Sequence, residues 1–180
     1  MAKGFEMIGT LWRLFFGICC FSKGPQDLPA SKEFFVVTLS AYCFASFFQA
    51  SSMQSVDIAI LMGLMDAFIL VVLCYFLLYL SRRPERWLQT ITALFGAGIV
   101  FSIVSIPLSF LIPIIGNNNP VVYWLYLIVI ALMVWNVAVM AHIMRHALSS
   151  SFALGVLAAL LYVWVLYTAV FSFFPPQTVA

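Results

Sequence analysis

From residue 87 to residue 141 the chain carries no Asp, Glu, Lys or Arg. One crossing of the bilayer hydrocarbon takes about 20 apolar residues, so this stretch is far longer than a single span needs. Gly116-Asn117-Asn118-Asn119-Pro120 divides it, because a polar, helix-breaking segment cannot lie unpaired in hydrocarbon. Residues 34–56 are also free of charge. The same reading along the whole chain predicts five membrane helices, at about 33–52, 57–80, 88–112, 121–146 and 150–174. The composition agrees. The chain is 65% hydrophobic and 8% charged, against roughly 25% charged residues in soluble domains. The expected fold class is all-α, an integral membrane bundle occupying residues 33–176 after an N-terminal segment 1–32.

The eight basic residues orient that bundle. Lys3, Arg13, Lys23 and Lys32 precede the first span, Arg82, Arg83 and Arg86 fill the second connector, and Arg145 closes the fourth span. Residues 51–56, residues 114–121 and the tail after residue 174 contain no Lys or Arg. Short basic loops stay cytoplasmic, so the expectation is N-terminus inside, five crossings, C-terminus outside. Nothing reads as a cleavable signal, since Glu6 and Arg13 interrupt the N-terminal apolar stretch and no small-x-small site follows. Residues 5–21 are instead expected to form an amphipathic helix in the inner interface or packed on the bundle. Trp12 suits headgroup depth and Arg13 can snorkel. Gly24-Pro25-Gln26-Asp27-Leu28-Pro29 ends that helix.

The basic residues are spread over separate segments, which argues against a nucleic-acid face. Cys19, Cys20, Cys43 and Cys74 have neither CxxC spacing nor an external location, so free thiols are expected and neither zinc nor a disulfide framework is. His142 and His146 stand at i and i+4, a spacing that suits a metal, but no third ligand accompanies them. With Arg145 they are read as a cationic cap on the end of their helix. No phosphate loop, GxSxG, HExxH or paired intramembrane carboxylate occurs, and no cofactor is expected.

Asp66 is the sharpest single residue. It lies about nine residues into the second span, roughly 14 Å from its outer end, where an ionised carboxylate is costly unless paired or wetted. It can be held neutral, hydrogen-bonded within the bundle, or met by a cation from a partner subunit. Tyr42, Ser102, Ser105 and Asn136 fall at similar depth in their own spans, so a network of Asp66, Asn136, Ser102 and Tyr42 is a candidate site. Arg82, Arg83 and Arg86 form the most polar corner, suited to a lipid headgroup or a partner, or to anchoring alone.

The Asp27-Leu28-Pro29 entry to the first span, the Arg-x-x-Gln-Thr-x-Thr-Ala-Leu stretch from Arg86 to Leu94, and the Arg145-His146-Ala147-Leu148 turn resemble the Yip family of small integral membrane proteins, in its broad bacterial branch. The resemblance covers nearly the whole chain. It implies an inner-membrane scaffold or adaptor without catalytic residues. The Rab-linked activity of eukaryotic members depends on a long acidic cytosolic N-terminus with no counterpart here. The functional expectation is a non-enzymatic scaffold, adaptor or accessory subunit in a bacterial inner membrane, contacting lipid and either a protein partner or itself. The alternative is a small transporter or ion-conducting subunit centred on Asp66, and a third reading is an intramembrane lipid-handling enzyme.

Overall fold

The computed structural model describes residues 12–52, 54–116 and 119–174. Lys3, the expected helix start at 5–11, Asn117, Asn118 and the Pro175-Pro176 stop lie outside the described residues. Helix α1 covers residues 12–19. A 3₁₀ turn at Pro25–Asp27 leads to α2 (Lys32–Ala50) and α3 (Val56–Leu80). A second 3₁₀ turn at Pro84–Arg86 precedes α4 (Trp87–Ile115), α5 (Val121–Leu148) and α6 (Phe152–Phe173). No strand occurs among the described residues. Five helices, α2 to α6, are long and apolar enough to cross a membrane, so the fold is an all-α, multi-pass membrane bundle.

Local chemistry explains the helix ends. The Ser31 side chain accepts the Phe34 N–H at 3.3 Å, and Ser151 accepts that of Leu154 at 3.4 Å. Both supply an acceptor to otherwise orphaned first-turn donors. Helix α4 runs three residues past its expected end and keeps Pro107 and Pro113 inside it, as membrane helices tolerate. It stops at Gly116, whose φ of 74° costs glycine least.

The helices close into a ring. Helix α2 packs on α3 and α4, α5 on α4 and α6, and α3 meets α6. The basic end of this ring is its tight end. Every residue from Thr90 to Ala97 of α4 is buried, as is every residue from Val139 to Met144 of α5. Thr90 and Thr92 survive there because each hydroxyl donates to a carbonyl of its own helix, Arg86 O at 2.8 Å and Leu88 O at 2.7 Å. The distal end is thin. Its buried cluster consists of Ile112, Val122 and Leu125, while large side chains such as Tyr123 and Trp124 are exposed. All four cysteines are free, and Cys19 and Cys74 are buried.

Helix α1 helps to make the tight end. Phe15, Ile18 and Cys19 are buried, and the Phe15 ring stacks on Phe34 with centroids 5.7 Å apart. That ring occupies the space where a Cβ on Gly96 would stand. The Trp135 indole Nε1 donates to Cys19 O at 3.1 Å. Trp135 lies thirteen residues before Leu148, about 20 Å along α5, so α1 reaches well along the bundle. Of the two sequence expectations, seating against the bundle describes its inner face, while Trp12, Arg13 and Phe16 stay exposed.

Replacing Gly96 with Val forces the Phe15 ring out of its seat. Overpacking of this kind costs about 1–3 kcal/mol. Thermal unfolding in detergent should register that loss, and amide exchange in residues 14–19 should quicken. An unchanged exchange pattern would mean that α1 is not held by this contact.

Candidate functional site: an aspartate shared by three helices

Asp66 sits midway along α3 and takes hydrogen bonds from both neighbouring helices. Tyr42 Oη of α2 donates to Asp66 Oδ2 at 2.6 Å, and Ser46 Oγ, one turn further along α2, lies 3.4 Å from the same oxygen. Tyr162 Oη of α6 donates to Oδ1. Both tyrosines are buried. The position of Tyr42 follows from its surroundings: its ring lies 4.8 Å from that of Phe95 and occupies the space a Cβ on Gly98 would need. Among the described residues no Lys or Arg is a partner of Asp66. Hydroxyl donors alone therefore answer the carboxyl, and they tie α2, α3 and α6 together at one depth.

Of the residues expected beside Asp66, the structure brings Tyr42 to it and not the others. Asn136 lines a cavity of about 40 Å³ together with Tyr42, Tyr162, Leu70 and Gly98, but no hydrogen bond joins it to Asp66. Ser102 is buried and bonded to neither. Ser105 turns to α2, where its hydroxyl lies 3.2 Å from Gln49 Oε1. Ser46 and Tyr162 were missed. Ser46 was within reach, being four residues after Tyr42 and so on its face. Tyr162 was legible in depth but not in direction.

The basic corner has a second polar cluster. Arg86 Nη1 donates to His146 O at 3.2 Å, Ala147 O at 3.4 Å and Ser149 Oγ at 2.8 Å. Arg83 Nη1 donates to the same Ser149 Oγ at 2.6 Å. The last carbonyls of α5 are thus reached by Arg86 from the connector between α3 and α4, in addition to the expected Arg145 and His146 in the last turn of that helix; His142 lies outside that turn. His142 instead faces inward and is buried. Its Nε2 is 3.0 Å from Lys23 O, with Phe21 and His146 edge-on to its ring, so it holds the segment after α1. Arg82 takes no part in these contacts and has a left-handed backbone, φ 58°. Among the described residues no group of three His, Cys, Asp or Glu could hold a metal.

No protein-family model, curated protein or solved structure matches this chain.

The tie at Asp66 is measurable by a double-mutant cycle. Interhelical hydrogen bonds in membrane bundles average about 0.6 kcal/mol, with a maximum near 1.7. Tyr42→Phe and Tyr162→Phe should each cost an amount in that range. Asp66→Ala should cost more than either, since it leaves two buried hydroxyls unpaired. The cost of each Tyr→Phe substitution should shrink toward zero in the Asp66→Ala background. Additive effects would show that the three groups do not act together.

Proposed function

We propose that this chain is a non-enzymatic, Yip-like scaffold, adaptor or accessory subunit of a bacterial inner membrane. Its N-terminus is cytoplasmic and its C-terminus periplasmic, and it works through helix contacts with itself or with a larger complex. The observation that carries the reading is the fate of Asp66. The carboxyl midway along α3 is engaged by hydroxyls from α2 and α6, which is the use a bundle makes of such a group when it fixes packing. The Yip resemblance points the same way, and the placement of Lys and Arg supports the orientation. Extraction of a tagged copy in mild detergent, followed by mass spectrometry of what accompanies it, tests the proposal. A stoichiometric second protein or a defined homo-oligomer is expected. A chain that stays alone and monomeric in every mild extraction sinks the reading.

A second reading has its own observation. The 40 Å³ cavity lies against Tyr42 and Tyr162, the two phenols that donate to Asp66, and Asn136 lines it. Such a space is large enough for a water molecule, and a carboxyl, two phenols and water make a chain along which a proton could pass. On that reading Asp66→Asn abolishes proton flux into vesicles loaded with a pH-sensitive dye while the variant still folds. Equal flux in both proteins, or none above empty vesicles in either, ends it.

A further inference from the structure

At the basic end, three segments distant in sequence enclose a cleft of about 310 Å³. One wall is Pro25 and Gln26, a second is Arg86, Gln89 and Thr90, and a third is His146, Ala147 and Ser149. The walls are tied to one another. Gln89 Nε2 donates to Leu28 O at 2.7 Å, which pins the N-terminal wall to α4, and Arg86 binds the end of α5. The cleft is therefore a built feature of the fold.

Its charge is unbalanced. Arg83 and Arg86 direct one Nη1 each at the same Ser149 Oγ, so two guanidinium groups stand side by side. Like charges so placed repel, and both side chains are half-buried. Among the described residues neither has a carboxylate partner. Of the acids nearby, Glu85 is exposed, and Asp27, whose Oδ2 accepts the Gly24 N–H at 2.8 Å, places its negative charge toward His146 and makes no ion pair with either arginine among the described residues. Arg145 adds positive charge on the next turn of α5. Ser149 caps α5 in the left-handed region at φ 47°, uncommon for a residue other than glycine or asparagine, with its own N–H and that of Ser150 on the last carbonyls of the helix, while both arginines hold its hydroxyl. Capping α5 uses only Nη1 of Arg86, so the Nε and Nη2 edges of both arginines have no acceptor among the described residues. An arginine fork matches the oxygen pair of a phosphoryl group, and the site lies where membrane helices end, at headgroup level.

We propose that this cleft binds a phosphate-bearing anion on Arg86, with Arg83 supplying the second positive charge. The chemistry is shared by an anionic lipid headgroup and by a soluble phosphate compound, and the experiment separates them. The delipidated full chain in non-ionic detergent is titrated with phosphatidylglycerol and with phosphatidylcholine, and bound lipid is counted by native mass spectrometry. In parallel, thermal unfolding is followed with inorganic phosphate against chloride at equal ionic strength. Two variants are compared. Arg83→Gln leaves the α5 cap in place, and Arg86→Lys keeps the charge but loses the fork.

A lipid source predicts that phosphatidylglycerol is preferred over phosphatidylcholine by about tenfold, the scale of one charged hydrogen bond, and that either variant lowers that preference. A soluble source predicts no lipid preference but a rise in unfolding temperature with phosphate that both variants lose. Lipid and phosphate responses unchanged in the variants, or absent from the wild type, overturn the proposal. Should Arg86→Lys fail to fold, Arg83→Gln decides alone.

Discussion

Hydrocarbon offers no hydrogen bonds, so every polar group within the membrane must find its partner inside the bundle. The packing of this protein follows from that constraint. Asp66 cannot face lipid without cost, and the ring of helices places it where α2 and α6 can answer it. Thr90 and Thr92 lie where neighbours press on α4 from all sides, and each returns its hydroxyl to its own backbone. The carbonyls that end α5 lack partners within the helix, and Arg86 reaches across from the connector between α3 and α4 to join the Ser149 and Ser150 N–H groups in binding them. Asp66 and Arg86 thus select which helices must be adjacent, whereas Thr90 and Thr92 are satisfied within α4 whatever packs on it, and apolar contacts alone do not distinguish a neighbouring helix from lipid.

The N-terminal segment extends the same logic to the interior of the basic end. Helix α4 from Thr90 to Ala97 is built from small and medium side chains, with Phe95 the large exception. Small residues let several neighbours approach a helix at once, and here α1 is among them. Phe15 fits because Gly96 has no side chain, and the indole of Trp135 and the ring of His142 hold the carbonyls of Cys19 and Lys23. Without this segment those two ring nitrogens would lose their partners in a region that excludes water. Residues 12–19 are thus part of the bundle.

Long charge-free runs made the helices legible, because length and apolarity alone decide whether a segment can span. The expected spans at 57–80 and 121–146 differ from α3 and α5 by at most two residues at either end. Part of the Asp66 site was legible as well, since depth along a helix can be counted from its end, and Tyr42 is at the counted depth. What depth cannot supply is rotation. A uniformly apolar helix such as α6 has no polar face to indicate which side turns inward, so Tyr162 was hidden. For the same reason Asn136 and Ser102 could not be excluded. The contact of Arg86 with α5 was hidden differently. It joins residues sixty positions apart, and nothing local in either segment announces the other.

The two ends of the bundle differ in how they are held, and that difference bears on where function can reside. The basic end carries the fully buried core residues Phe95, Leu78, Ile91, Ile143 and Met144, together with Arg86 and the N-terminal wall. The distal ends of α4 and α5 are joined by a small cluster around Ile112, Val122 and Leu125, beyond Pro107 and beside Pro113 in α4. Regions with few buried contacts open first, so motion within the bundle belongs to the distal end and fixed geometry to the basic end. A site that must present charges at a set spacing, as Arg83 and Arg86 do around Ser149, needs the rigid end. A helix hairpin that must adapt to lipid or to another protein is better served by the loose one.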